Sequence, residues 1–148
     1  MFCTPPDFTD WLRAHGFEAH AVGTAYRSFV TTNAGNILAT LPVLRREVVP
    51  QGRALEPLVA GADVVLASGP CAAAGPVAGK HGVPYRFSLL SPSMLPSRDH
   101  PAPHVGPQAL PRWLNGVSWA LYEAAWGAIF RGPVREQRAE LGLPPPKD

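Results

Sequence analysis

The stretch Ala62-Asp63-Val64-Val65-Leu66-Ala67, then Ser68-Gly69-Pro70, then the small-residue run 71–80, then Gly82 and Val83-Pro84-Tyr85-Arg86-Phe87-Ser88-Leu89-Leu90, decides the fold class. The first run is short, apolar and rich in β-branched residues, the pattern of a strand buried in a parallel sheet. The Ala-rich run after the turn suits a helix packed closely on that sheet, with Pro76 kinking it or sitting in its first turn. Gly82 stops it, and the run from Val83 to Leu90 is the next strand. Strand, helix and strand in this order form a βαβ crossover, right-handed by rule. The expected class is therefore α/β, a Rossmann-like parallel sheet with flanking helices.

The N-terminal side repeats the rhythm. Met1-Phe2-Cys3 reads as the end of a strand. Thr4 is a candidate helix cap, with prolines welcome in the first turn after it. Phe8, Trp11 and Leu12 make one apolar helix face, Gly16 closes the helix, and residues 17–22 alternate as a short strand. Residues 24–36 are polar and carry no clear period. Ile37, Leu38, Leu41, Leu44 and Val48, then Leu55, Leu58 and Val59, recur at helical spacing. Pro42 and Pro50 between them predict broken helices rather than one long one.

On the C-terminal side, residues 91–111 hold six prolines and leave the carboxyl end of a strand, where ligands bind in open α/β sheets. Trp113, Leu114, Val117, Ala120, Leu121, Ala124, Ala125, Ala128 and Ile129 then form an apolar stripe, predicting an amphipathic helix packed along that face. Gly132-Pro133 is expected to break it, with a short helix continuing to Leu141 before Gly142 and the closing prolines.

Composition bounds the function. The 148 residues suit one domain. The chain is 46% hydrophobic and 16% charged, against a disordered segment. Its 14 glycines and 18 prolines, about 22% of the chain, fall just below low complexity. A net charge of +2 is too balanced for a dedicated nucleic-acid binder. Two cysteines, Cys3 and Cys71, exclude a disulfide scaffold and a Cys-rich zinc site. The start carries no signal-peptide pattern, and residues 113–130 are interrupted by Asn115, Ser118 and Glu123, so no transmembrane segment and a cytoplasmic location are expected.

Few residues announce chemistry. The Walker loop, the G-x-G-x-x-G turn, H-E-x-x-H and G-x-S-x-G are all missing. His15 and His81 sit near helix ends, where the dipole favours a cation. His100 and His104, beside Asp99, lie in the proline-rich loop. A metal needs three or four convergent ligands, so a solvated pair or a pocket lining is the reading, and no metal is expected. Ser68 suits a helix cap or a ligand contact at the sheet edge. Cys71 at a helix start is either a buried inert thiol or an activated one. Ser91, Ser93 and Ser97 are turn formers or pocket hydroxyls. Trp113 joins the apolar stripe. Trp119, Tyr122, Trp126 and Phe130 form a core or the wall of a large apolar ligand site.

The order of these pieces resembles family-1 glycosyltransferases of the GT-B fold. Met1-Phe2-Cys3-Thr4-Pro5-Pro6-Asp7-Phe8 with Gly16-Phe17 is similar to the family's second strand and helix. The runs 63–69, 78–86 and 89–97 resemble its acceptor-domain core, and Arg138-Ala139-Glu140-Leu141-Gly142-Leu143-Pro144-Pro145 its last acceptor-domain helix. Enzymes acting on glycopeptide aglycones and the sterol-type group are nearest in appearance. The resemblance implies transfer of a hexose from a nucleotide-diphosphate sugar, as donor substrate, to a hydroxyl of a lipophilic acceptor with inversion, without a metal or other cofactor. It implies small-molecule acceptor contacts at Ser68, Gly69, Ser91, Ser93, Met94, Trp119 and Trp126.

The chain departs from the family in what it spans. The first strand, whose Gly-rich loop carries the family's base, would precede Met1. The domain's last strand and the nucleotide-sugar domain would follow Asp148. Where one branch has an Asp, Ser68 stands. The expectation is a partial acceptor-binding domain over residues 1–148, an incomplete half of a GT-B architecture, inactive alone. Its isolated form is expected to aggregate or to need a partner chain, because open strand edges expose unpaired backbone. Two other readings stand beside it. One is a non-catalytic homologue that partners a complementary glycosyltransferase chain. The other is a small Rossmann-like ligand-binding module, weakened by the lack of a phosphate-cradling loop.

Overall fold

The computed structural model describes residues 1–27, 31, 37–69, 71–103, 105–106 and 110–146, and for 37–39 the backbone only. In chain order the elements are β1 (Phe2–Thr4), α1 (Pro6–Ala14), β2 (Ala19–Ala21), α2 (Ile37–Val59), β3 (Val65–Ser68), α3 (Ala74–His81), β4 (Tyr85–Ser88), a 3₁₀ turn (Pro92–Met94) and α4 (Arg112–Glu140). β1 pairs with β2, and β3 with β4, both parallel. The fold is thus α/β, as expected, with helices flanking short parallel strands. The strands form two separate two-stranded ladders.

The β3–β4 ladder rests on an apolar cluster. Leu55 and Val59 of α2, Ala73, Ala74 and Val77 around the start of α3, and Leu141 form its buried centre. Val65 and Ala67 of β3 and Val22, just past β2, pack against it. At the other end of β2, the Arg13 guanidinium donates from Nε (3.1 Å) and Nη2 (2.8 Å) to the Ala19 carbonyl, fixing α1 on its strand.

Several expectations are corrected. Thr4 lies inside β1, so Pro5 precedes α1 and no side chain caps it. α2 is one helix, although Pro42, Pro50 and Pro57 lie within it. The prolines all stand on its exposed side, where the carbonyls they free meet water, while Val48, Leu55 and Val59 hold the opposite face. α4 likewise runs through Gly132-Pro133 without a break. Packing on both sides of the proline, through Phe130 and Gln137, outweighs the lost helix bond. Pro76 sits in the first turn of α3, and Gly82 ends that helix at φ 66°, in the left-handed region glycine favours.

Two faces also differ from the sequence reading. β3 is half-covered rather than buried: Val65 and Ala67 face the cluster, whereas Leu66 is 71% exposed. In α4 the apolar stripe points to solvent, with Trp113 68% and Leu121 67% exposed. The packed face is the aromatic line Trp119, Tyr122, Trp126 and Phe130, extended by Asn115 and Gln137, both buried. The polar pair is held by hydrogen bonds that a hydropathy count cannot register. Asn115 Nδ2 donates to the Arg98 carbonyl (2.9 Å), and Gln137 Nε2 to the Ala73 carbonyl (2.9 Å).

Candidate functional site

The site is built where β3 and β4 end. A strand's carboxyl end leaves its last carbonyls and the following turn open to a ligand. Ser68 closes β3, and Gly69, at φ 68°, turns the chain in a conformation a side chain would strain. That turn supplies Gly69, Cys71 and Ala72 to one wall of a cavity of about 290 Å³. Gly75 of α3 adds to this wall, and a Cβ built there would stand 3.8 Å from the Tyr85 ring, an ordinary contact distance. Tyr85 and Phe87 of β4 share a face because strand side chains alternate with period two. Trp126 and Phe130 of α4, one turn apart, close the opposite side with rings stacked at 5.3 Å.

The electrostatics are those of an apolar binding cleft. Burial pushes the Cys71 thiol up from its ordinary value, and it pushes the Tyr85 phenol up as well, reinforced by Cys71. Both groups stay neutral at physiological pH, so Cys71 is an inert thiol rather than an activated nucleophile. Among the described residues the cavity lining holds no carboxylate and no imidazole. It can bind an apolar or aromatic ligand; among the described residues no lining group is placed to take a proton from one.

The structure distributes the sequence-derived residues unevenly. Gly69 and Trp126 line the cavity, and Ser68 adjoins it with an exposed hydroxyl that has no partner among the described residues. Ser91 and Ser93 bond each other through their hydroxyls (2.8 Å), and Ser91 accepts the Ser93 amide at the head of the 3₁₀ turn (3.3 Å). Met94 follows on that turn, exposed. Ser97 accepts the Asp99 amide (3.0 Å), a turn role. Trp119 lies elsewhere on α4: it is 5% exposed, and its indole N–H donates to the His100 carbonyl (3.1 Å).

Asp99 pairs with Arg112 at 3.3 Å, and the His100 ring sits edge-on to Trp119. His104 lies outside the described residues, as do Pro70 and most of residues 28–36. Among the described residues no group of His, Cys, Asp or Glu is arranged to hold a metal ion. His15 bonds the Trp11 carbonyl through Nδ1 (2.7 Å), closing the last turn of α1.

Sequence reading passed over Tyr85, Phe87 and Gly75 as cavity residues. The signal was there: two aromatics at i and i+2 on a strand share one face.

No protein-family model matches the chain. Two curated proteins of Amycolatopsis orientalis do. Glycosyltransferase GtfE is 31% identical over 155 aligned positions, which cover 99% of this chain and 37% of that protein. The dTDP-epi-vancosaminyltransferase is 29% identical over 147 positions, covering 97% of this chain and 33% of that protein. These matches bear out the resemblance read from the sequence: the chain is related to glycosyltransferases of the glycopeptide type over nearly its whole length. It spans about a third of the length of the curated relatives it matches. Among the described residues no helix is long and apolar enough to cross a membrane.

Proposed function

We propose that this chain is the acceptor-binding part of a glycosyltransferase and that the cavity at the ends of β3 and β4 receives the lipophilic face of the acceptor. The parent reaction is transfer of a hexose from a nucleotide-diphosphate sugar to an acceptor hydroxyl, with inversion. The acceptor is a lipophilic natural-product or sterol-like molecule. The observation that carries this reading is the aromatic, uncharged wall of Tyr85, Phe87, Trp126 and Phe130 at the edge where α/β sheets bind ligands. The Ser68 hydroxyl beside it can hydrogen-bond a polar group of the acceptor. On this reading the part of the reaction that the described residues serve is holding the acceptor.

The test is a fluorescence titration of the chain with a glycopeptide aglycone and, separately, a sterol. Saturable quenching whose midpoint moves about tenfold to higher ligand concentration in Trp126→Ala supports the reading. Quenching by neither, or quenching untouched by the substitution, overturns it. The second reading is a non-catalytic partner of a complementary glycosyltransferase chain. It is favoured by the exposed stripe Trp113, Val117 and Leu121, since solvent-facing apolar stripes mark interaction surfaces. Co-purification with a full-length transferase, without acceptor binding, selects it.

A further inference from the structure

The outer side of α2 carries a regular pattern of its own. Pro42, Arg45, Arg46, Val49, Pro50 and Arg53 recur at the spacing that puts them in one stripe of a helix. Alone, such a stripe is a convex, solvated face. Here α4 lies alongside it. The two helices approach closely at Gly52, where a Cβ would stand 2.4 Å from Gln137 Nε2. Pro133 and Glu136 of α4 form the second wall, and the helices enclose a cleft of about 540 Å³. It shares no lining residue with the cavity at the ends of β3 and β4.

The chemistry of this cleft suits an anion. Among the described residues neither Arg45 nor Arg46 has a carboxylate partner, so both guanidiniums keep their donors for a ligand. Arg53 is held by Glu140, which accepts from Nε (3.0 Å) and Nη2 (2.5 Å) and leaves Nη1 to a ligand. That pair orients the guanidinium in advance, so less freedom is lost when an anion arrives. Guanidinium N–H groups match the oxygens of a phosphate two at a time. Against three lining cations stands one lining carboxylate, Glu136, and with Glu140 counted as well the cleft stays positive. Between the arginines, Pro42, Val49, Pro50 and Pro133 supply an uncharged floor. The volume lies within the range of small-molecule sites, roughly 300–1,000 Å³, and far exceeds what a lone ion fills.

We propose that the cleft between α2 and α4 binds a small organic phosphate. The phosphate sits on Arg45, Arg46 and Arg53, and the uncharged remainder of the molecule rests on the proline and valine floor. A phosphate is favoured over a carboxylate because it brings more charge and a third acceptor oxygen to three guanidiniums. Glu136 limits the affinity, since it repels the charge that the arginines attract. The cleft and the acceptor cavity are separate, so a failure of acceptor binding leaves this site standing.

Titrating the intact chain with phenyl phosphate tests this, with the Nε–H resonances of Arg45, Arg46 and Arg53 followed by NMR. The expected result is a saturable shift with a Kd of about 1 mM or tighter. Inorganic phosphate is expected to bind several-fold more weakly, for want of the floor, and phenol not to move these resonances. Arg45, Arg46 and Glu136 are exposed, so substituting them leaves the fold intact. Arg45→Gln and Arg46→Gln are each expected to weaken phenyl phosphate by about threefold or more, while Glu136→Gln tightens it by about twofold. Raising the salt from about 0.05 M to about 0.5 M weakens it as well. Five results each overturn the site: no saturation, no loss with either arginine variant, Glu136→Gln binding no tighter, inorganic phosphate binding as tightly as phenyl phosphate, which leaves an adventitious ion only, or a poly-glutamate peptide binding more tightly than phenyl phosphate, which makes the cleft a dock for acidic polypeptide.

Discussion

Replacing Gly52 by alanine is expected to destabilise this protein, although alanine is the better helix former by about 1 kcal/mol. Gly52 is buried in α2 where α4 crosses it. A Cβ built there stands 2.4 Å from Gln137 Nε2 and 3.0 Å from Gln137 Cγ and Cδ. Gln137 is 1% exposed and has no solvent to swing into. Its amide is also the donor that joins α4 to the Ala73 carbonyl at the head of α3. Overpacking of this kind costs roughly 1–3 kcal/mol, and a buried carbonyl left without its donor costs roughly 1–3 kcal/mol more. Against the propensity gain, the net loss is about 1–5 kcal/mol. The assay is urea unfolding followed by far-UV circular dichroism, where the midpoint is expected to fall by about 1 M. Gln137→Ala removes the obstruction, so the double substitution is expected to cost less than the two single ones together by about 1–3 kcal/mol. A Gly52→Ala midpoint at or above that of the unsubstituted chain, or strict additivity in the cycle, would refute the account of this crossing.

Further expectations follow from the same packing. Trp119→Ala is expected to lower stability by about 3–5 kcal/mol, since the ring is buried and its N–H holds the loop, whereas Trp126→Ala weakens acceptor binding about tenfold with a smaller stability cost; paired melts and fluorescence titrations separate the two. Burial raises the Cys71 and Tyr85 pKa values, so the stability they contribute is full below their unfolded values and lost as pH rises through the folded ones. The urea midpoint is therefore expected to fall from neutral into alkaline pH, and an iodoacetamide time course to show Cys71 alkylated more slowly than a free thiol. Glu140 is held below the usual carboxylate range by the Arg53 guanidinium, with Nη2 to Oε1 at 2.5 Å. Its contribution is present above the unfolded value and is lost in acid, so Glu140→Gln is expected to lower the midpoint slightly at neutral pH and not at all in strong acid. Leu121→Ser in the exposed stripe of α4 is expected to change stability by less than about 0.5 kcal/mol while reducing binding of a hydrophobic dye.

The crossover between residues 62 and 90 was legible because a β-branched run, a glycine turn and an alanine-rich helix agree at every level. The candidate site was legible in part: Gly69 and Trp126 stand out by turn chemistry and by aromatic excess. Tyr85 and Phe87 did not, because a strand was read for its hydropathy and not for which side each ring faces. The packed face of α4 is not legible in the sequence for a definite reason. Its aliphatic stripe has the better period, yet the packed face carries Asn115 and Gln137, whose cost of burial is offset by backbone acceptors supplied from distant segments. Such partners are a property of the assembled chain. The uninterrupted α2 and α4 teach the same lesson for proline: the loss of a helix bond is local, while the packing that offsets it is contributed by the elements alongside.

One attachment on α4 has a mechanical side. Within its first turns, Asn115 and Trp119 grip the carbonyls of Arg98 and His100, and the Ser118 hydroxyl accepts the Ala102 amide (2.9 Å). Trp126 lies two turns further along the same rod, about 10 Å away at the rise of an α-helix. A rod that short does not bend under thermal load, so it behaves as a lever with the loop on one arm and the cavity wall on the other. A ligand that pushes Trp126 aside transmits its motion to residues 98–102, and their amide exchange is where that motion will be felt first.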